Sequence, residues 1–176
     1  MKKIISIVLC IATALALCSC GAPEARSYKD IEDYKKVSSN GYTIKYDDNT
    51  FDFVKADGSD SLVLKSSKGS DSGEALVTIT KVSGKSVEEQ AKAVEKSFGE
   101  KGFTEISTDP STTIGANALC VSALADEGEY IYESEIVPFD GGVYELSFHY
   151  STSLENVAVS DAIYSIVSTF EVSQKK

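Results

Sequence analysis

His149 is the single histidine of the chain, and it lies in a segment in which apolar and polar residues alternate. A turn at Asp140-Gly141-Gly142 separates this segment from an earlier one that carries Glu133 and Glu135. A carboxylate beside an imidazole orients the ring and raises its basicity, as in general bases and metal-binding histidines. Acid–base catalysis and metal binding are therefore the chemistries to consider for these three residues.

The pairing of the two segments decides whether these side chains meet. A two-residue hairpin loop would place Phe148 opposite Glu133 and mix apolar with acidic residues on one face. A register shifted by one residue places Glu133 opposite His149 and Glu135 opposite Ser147 instead. Because the register of a strand must respect its buried face, we expect the shifted register, with an aromatic inner face and an acidic outer face.

A catalytic centre at this position lacks its other parts. A hydrolase needs a nucleophile and an oxyanion hole around the base, and a structural zinc site normally needs more than one Cys or His. Cys120 has no evident positive charge near it to activate the thiol and is typical of a small core residue. We therefore expect no catalytic residue, no metal ligand and no cofactor, with Glu133, Glu135 and His149 on a polar surface; a hydrolase centred on His149 and Glu133 is an alternative.

The N-terminus has the pattern of an export signal. Two lysines precede an apolar run from Ile4 to Leu17, which is shorter than the roughly 20 residues of a membrane-spanning helix. The run ends in Leu17-Cys18-Ser19-Cys20, which resembles the lipobox of bacterial lipoprotein precursors. This resemblance implies cleavage between Ser19 and Cys20 and attachment of acyl chains such as palmitate to Cys20, which would anchor the protein on the extracytoplasmic face of the cell membrane.

The composition limits the kinds of partner. The net charge is −10, and the chain becomes more acidic when Lys2 and Lys3 leave with the signal. This charge argues against nucleic acid, whose phosphates are neutralised by Lys and Arg. The acidic segments 47–49 and 57–61 are typical of turns, and weak binding of calcium at this surface is an alternative.

Alternating apolar residues predict short strands near 42–46, 51–53, 62–64 and 76–80. Ser86 and Glu89 form a capping box at the start of a helix that extends to Phe98. Strands near 103–107, 117–124, 129–137 and 143–150 follow, and a second helix covers about Leu154 to Phe170.

The order of these elements resembles the PsbP-like family. The matching stretches are Gly41 to Tyr46, Ser86 to Glu89, the paired segments from Gly128 to Tyr150, and Ile166 to Phe170. The resemblance implies an α+β fold in which helices flank a central antiparallel sheet, a PsbP-like α/β/α sandwich. The expected organisation is a lipoprotein signal peptide (1–19), a lipidated Cys20 with a tether (20–40) and a PsbP-like domain (41–174).

These observations predict a membrane-anchored, extracytoplasmic lipoprotein that acts as a non-catalytic binding or assembly module. Its expected partners are the membrane, through the lipid anchor, and an envelope protein. The alternative is a receptor for a small ligand, which requires a lined pocket between a helix and the sheet.

Replacing Cys20 with Ala tests the anchor. Two or more acyl chains give stable attachment, since each buried CH₂ contributes about 0.8 kcal/mol. We expect the Cys20→Ala chain to remain an uncleaved precursor that incorporates no palmitate, as measured by palmitate labelling and by the mass of the chain. A variant that still incorporates palmitate, or that is cleaved as the parent is, would contradict the assignment.

Overall fold

A seven-stranded antiparallel sheet is the frame of the part of the chain described by the computed structural model, residues 33–64, 75–115, 117–152 and 157–173. In chain order its strands are β3 (Phe51–Lys55), β4 (Ser59–Leu64), β5 (Ala75–Ser83), β6 (Thr104–Pro110), β7 (Leu119–Ala125), β8 (Tyr130–Phe139) and β9 (Gly142–Ser151). Their spatial order is β3-β4-β5-β9-β8-β7-β6.

The same residues also form a small sheet and two α-helices. The small sheet has the order β1-β2-β10 and consists of β1 (Lys35–Ser39), β2 (Tyr42–Tyr46) and β10 (Glu171–Val172). The helices are α1 (Val87–Glu100) and α2 (Val157–Val167). Within the described ranges, no helix is long and apolar enough to cross a membrane. These elements confirm the predicted α+β fold with a central antiparallel sheet flanked by helices.

Two layers cover the large sheet. On one side, here called the α1 face, α1 packs against buried residues of β7, β8 and β9 such as Val121, Ile136 and Val143. On the other side, the α2 face, Leu146 and Phe148 belong to a larger core with residues of β2 and α2. Both faces of the late strands are therefore buried.

Helix α1 begins where the sequence predicts. The Ser86 side chain accepts a hydrogen bond from the Glu89 backbone N–H at 3.2 Å, and the Glu89 carboxylate accepts one from the Ser86 N–H at 2.9 Å. These two bonds form a capping box. Ala91, Val94 and Phe98 lie on one stripe and are buried against the sheet, which confirms the prediction for this helix.

Helix α2 ends earlier than predicted, at Val167, and the residues beyond it join β2. The Thr169 hydroxyl donates to the Lys45 carbonyl at 3.1 Å and accepts from the Lys45 N–H at 2.8 Å. Phe170 stacks on Tyr42, with ring centroids 5.1 Å apart. The predicted start of the helix near Leu154 lies outside the described residues.

Strand β1 corrects the predicted tether of residues 20–40. Its five residues pair with β2 from Lys35↔Tyr46 to Ser39↔Tyr42. Asn40 and Gly41 link the two strands with φ values of 45° and 90°, the conformation in which an Asn-Gly pair makes a two-residue hairpin loop. The folded part therefore starts before Gly41. The signal peptide, Ser19, Cys20 and the tether up to residue 32 lie outside the described residues.

The register of β8 and β9 is the one that the sequence analysis rejected. Glu133 pairs with Phe148, and Glu135 pairs with Leu146. The predicted pairs of Glu133 with His149 and of Glu135 with Ser147 are therefore wrong, as is the acidic outer face. The prediction assumed that one face of the hairpin meets water, whereas α1 covers the second face.

Gly142 lies at the start of β9, where the backbone of the neighbouring strand β5 comes very close. A Cβ atom at position 142 would lie 2.1 Å from the Val82 carbonyl oxygen and 3.0 Å from the Ser83 Cα. Both contacts are to backbone, which has little freedom to shift. The Gly84 N–H also donates to the Gly141 carbonyl at 2.9 Å. Glycine at 142 therefore permits the close approach of β5 to the start of β9.

The outer strands of the large sheet are irregular or short. The pairing of β6 with β7 shifts between Thr104 and Ser107, and Glu105 in this bulge has a φ of 51°. Pro110, which has no N–H to donate, ends β6. At the opposite edge, β3 is five residues long and carries Asp52 and Lys55.

Gly142→Ala tests the close approach. We expect the variant to be destabilised by about 1–3 kcal/mol or more, because an inserted methyl group forces the backbone of β5 away. Gly99→Ala is the matched control: this glycine lies in α1, and its added Cβ would meet only the Ile106 side chain, at 3.9 Å. The control should be stabilised by up to about 1 kcal/mol. Urea unfolding measures both, and equal effects would contradict the packing argument.

Candidate functional site

The three predicted site residues lie on two different surfaces. Glu133 and Glu135 are on the α2 face, because they pair directly with Phe148 and Leu146, which belong to the core on that face. His149 is on the α1 face and lines a groove beside that helix. The register of β8 and β9 therefore directs the His149 side chain to one face of the sheet and both carboxylates to the other.

An acidic cavity of about 220 Å³ lies where β6, β7, β8 and α2 meet. Cross-strand pairing brings its side chains together, because Cys120 of β7 pairs with both Asp109 of β6 and Glu135 of β8. Glu133 lies two residues before Glu135 on the same face of β8, and Tyr164 comes from α2. We call this set, together with Pro110, Thr112, Thr113 and Ser122, the acidic cavity.

Glu135 is almost completely buried in this cavity, with 1% of its surface exposed. Its Oε2 atom is buried and has no hydrogen-bond partner among the described residues. Burial raises the pKa of this carboxyl, while hydrogen bonds from the side chains of Ser111 and Thr113 act in the opposite direction. A buried carboxylate with an unsatisfied oxygen is costly unless a proton or another cation compensates it.

Glu133 is half-buried and receives a hydrogen bond. The Tyr164 hydroxyl donates to its Oε2 atom at 2.7 Å, so the single Tyr164 proton is committed to the carboxylate. The Tyr150 hydroxyl, 2.6 Å away, must then donate to Tyr164. Burial raises the pKa of the Glu133 carboxyl, and the bond from Tyr164 partly opposes this shift.

Cys120 is a half-buried thiol next to these carboxyl groups. Burial raises its pKa, and the charges of Glu135, Glu133 and Asp109 raise it further. Because the thiolate is the reactive form, this environment suppresses nucleophilic chemistry at the sulfur.

The second surface is a groove of about 330 Å³ between α1 and the large sheet. Its floor is a network of polar side chains around Glu145. The Glu145 carboxylate accepts hydrogen bonds from Gln90 at 2.5 Å, Ser147 at 2.8 Å and Ser134 at 3.4 Å. The Lys85 ammonium donates to the Gln90 side-chain oxygen at 2.9 Å. The network holds the floor in a defined arrangement.

A row of aromatic rings closes one end of the groove. His149 stacks on Tyr132 with centroids 4.9 Å apart and an interplanar angle of 12°. Tyr132 contacts Phe103 at 4.6 Å, and Phe103 contacts Phe98 of α1 at 5.5 Å. Sequence reasoning did not single out Gln90, Glu145 or Tyr132. One signal was available in the sequence: Glu145 and His149 are separated by an even number of positions in β9, so they lie on the same face of the strand.

The calcium-like segments have local roles. Asp47 accepts hydrogen bonds from the Asn49 N–H at 3.0 Å and the Thr50 hydroxyl at 2.9 Å, as expected of a turn residue. Asp60 is buried and accepts from the Tyr42 hydroxyl at 2.5 Å and the Asn40 amide at 3.1 Å. Within the described ranges, no three His, Cys, Asp or Glu side chains are close enough to hold a metal ion.

Comparison with known structures identifies the architecture. The chain is similar to cyanobacterial PsbP (CyanoP) from Synechocystis sp. PCC 6803, with a TM-score of 0.50 and 13% identity over 87% of this chain and 98% of that one. The fold is PsbP-like. A protein from Bacteroides thetaiotaomicron VPI-5482 is also similar, with a TM-score of 0.50 and 17% identity over 81% of this chain, which spans about half (49%) of that protein. No protein-family model and no curated protein matches the sequence.

At these identities the PsbP-like fold carries no function by itself. It confirms the expected arrangement of sheet and helices, in which one helix lies on each side of the large sheet. Any function of the groove or of the acidic cavity must therefore be inferred from the side chains that line it.

Glu135→Gln tests the electrostatics of the cavity. Because the folded-state pKa of Glu135 lies above the ordinary value of 4.5, its contribution to stability is complete below pH 4.5 and is lost as the pH rises through the folded pKa. The variant should therefore gain stability over the parent as the pH rises, by about 1.4 kcal/mol for each unit of pKa elevation. Urea unfolding from pH 4 to 8 measures this difference.

The control is Glu129→Gln, which changes an exposed carboxylate. It removes a carboxylate outside the cavity, and the gain of Glu135→Gln over this control should grow as the pH rises. The other titratable groups in and beside the cavity, Asp109, Cys120, Glu133, Tyr150 and Tyr164, are unchanged in both variants. A stability gain of Glu135→Gln that is constant across this range would contradict the argument.

Proposed function

We propose that this protein is a non-catalytic binding module that takes a small polar ligand in the groove between α1 and the sheet. We further propose that Cys20 anchors it by acyl chains to the extracytoplasmic face of the cell membrane. The groove is the observation that carries the first proposal, because a lined pocket between a helix and the sheet is what a small-ligand receptor requires.

The size and lining of the groove support a ligand of low molecular mass. Its volume of about 330 Å³ is at the lower end of the range for small-molecule sites. The polar side chains of the floor bind one another, so the groove is arranged before a ligand enters and little ordering is needed on binding.

The lining also indicates the class of ligand. The hydroxyls of Ser134, Ser147 and Thr78 and the carboxylate of Glu145 lie on the floor, and the Tyr132 and His149 rings stand at one end. Such a surface suits a molecule with hydroxyl or amide groups on one side and a flat, less polar face on the other.

The geometry favours binding over catalysis. Glu133 pairs with Phe148 and His149 pairs with Tyr132, so the side chains of Glu133 and His149 leave their strands on opposite faces of the sheet. In the groove, the Ser147 hydroxyl donates to Glu145, so this serine is bonded to a carboxylate. The alternative of a hydrolase centred on His149 and Glu133 requires these two side chains to meet, so their separation supports the binding proposal.

A tryptophan placed on α1 tests the groove. Ser97 lines it, whereas the neighbouring Lys96 has a side chain that is 77% exposed and pairs with Glu100 along the helix. We expect native mass spectrometry of the protein extracted from its own membranes to show a bound small molecule in the parent and in Lys96→Trp. The Ser97→Trp variant should lack it.

A photocrosslinker at the same two positions tests the assembly alternative. A small-ligand site predicts no protein adduct that is specific to position 97. Two results together would contradict the small-ligand proposal: no bound molecule in the parent, and a protein adduct at position 97 with none at position 96. The groove would then be the binding site of a protein partner.

A further inference from the structure

The acidic cavity is lined by Glu135, and one oxygen of its carboxylate is buried and unpaired among the described residues. Glu135 is 1% exposed, and its Oε2 atom has no partner among the described residues. A buried oxygen without a hydrogen-bond partner has lost its bound water and gained no bond in return. This costs about 1–3 kcal/mol of folding free energy, and more for a charged group. The fold retains this cost at a side chain that faces a cavity, where a ligand can offset it.

The cavity carries an excess of negative charge. Asp109 stands at its exposed edge, and Glu133 and Glu135 lie inside. Among the described residues that line it, none is Lys, Arg or His. The complementary ligand is therefore cationic.

An ammonium group fits this cavity better than a bare metal ion. A hard divalent cation takes six or more oxygen ligands, and the described residues hold no cluster of three ligating side chains of the required kind. An ammonium has three donors, and the two carboxylates with a neighbouring hydroxyl match that number. Pro110 and the ring of Tyr164 offer apolar surface for a short alkyl chain.

We propose that the acidic cavity binds a primary aliphatic amine, whose ammonium group donates hydrogen bonds to Oε2 of Glu135 and to the carboxylate of Glu133. The amine belongs to a free small molecule or to a lysine side chain of another protein, since both present the same group. This site lies on the opposite face of the sheet from the groove, so its existence does not depend on the proposed function.

Titration of the full chain with butylamine, followed by the backbone amide signals in NMR, tests the site. We expect saturable shifts centred on Cys120 and Glu135, with a Kd on the order of 1 mM. Butan-1-ol, which has the same chain without the charge, should cause no saturable shift. Nα-acetyl-lysine methylamide separates the two sources: binding tighter than that of butylamine indicates a lysine side chain, and weaker binding indicates a free amine.

Two isosteric variants and a control complete the experiment. Glu135→Gln and Glu133→Gln should each weaken butylamine binding at least about tenfold, which corresponds to about 1.4 kcal/mol, while Glu129→Gln should leave it unchanged. The spectra themselves report whether each variant is folded. Any of three results would overturn the proposal: no saturable shifts in the parent, binding of butylamine by both cavity variants as tight as that of the parent, or displacement of the amine by millimolar calcium chloride.

Discussion

The register between β8 and β9 is the constraint on which the rest of this structure depends. The two-residue loop at Asp140 and Gly141 closes the hairpin, and Gly142 lets the backbone of β5 approach β9. Because the side chains of a strand alternate between faces, a shift by one residue would exchange every contact of this hairpin. The groove and the acidic cavity both depend on this register, because it places Glu133 and Glu135 on the α2 face and Tyr132 and Ser134 on the α1 face.

This register has a cost, and the surrounding layers offset part of it. It places two glutamates in the interior, where Tyr164 of α2 donates to Glu133. The small sheet is fixed over the same face by polar bonds at its hairpin: the Tyr42 hydroxyl donates to Asp60, and the Tyr144 hydroxyl donates to the Asn40 carbonyl at 2.6 Å. These buried bonds between distant parts of the chain define how the α2 layer sits on the large sheet.

Local signals in the sequence were sufficient for most of the elements. The capping box of Ser86 and Glu89 predicted α1, and the alternation of apolar residues predicted the strands of the large sheet. Strand β1 was missed, although Asn40-Gly41 is a strong hairpin signal, because the charged residues before it were interpreted as a tether. Alternation of polar and apolar residues could not give the register of β8. Polar residues at every second position form the same pattern whether a helix covers their face of the sheet or water does.

The candidate sites were much less accessible to sequence reasoning because their parts are distant in the chain. Gln90 and Glu145 are separated by 55 positions and meet only through the packing of α1 on β9. Glu133 and Glu135 were predicted on a polar surface, whereas Glu135 is buried and Glu133 half-buried. Their burial depends on α2 and on the loop that follows β6. No pattern within one segment contains that information.

The bulge in β6 has a consequence for how copies of this protein behave when they are crowded together. The outer strand of a sheet exposes unpaired N–H and C=O groups that can recruit a strand from a neighbouring molecule. At one border the bulge at Glu105 and the terminal Pro110 interrupt this row of groups. At the other border, β3 is brief and carries charges of both signs. The sheet thus ends on both sides in strands that resist continuation into a second molecule, and this opposes ribbon-like aggregation at high local concentration.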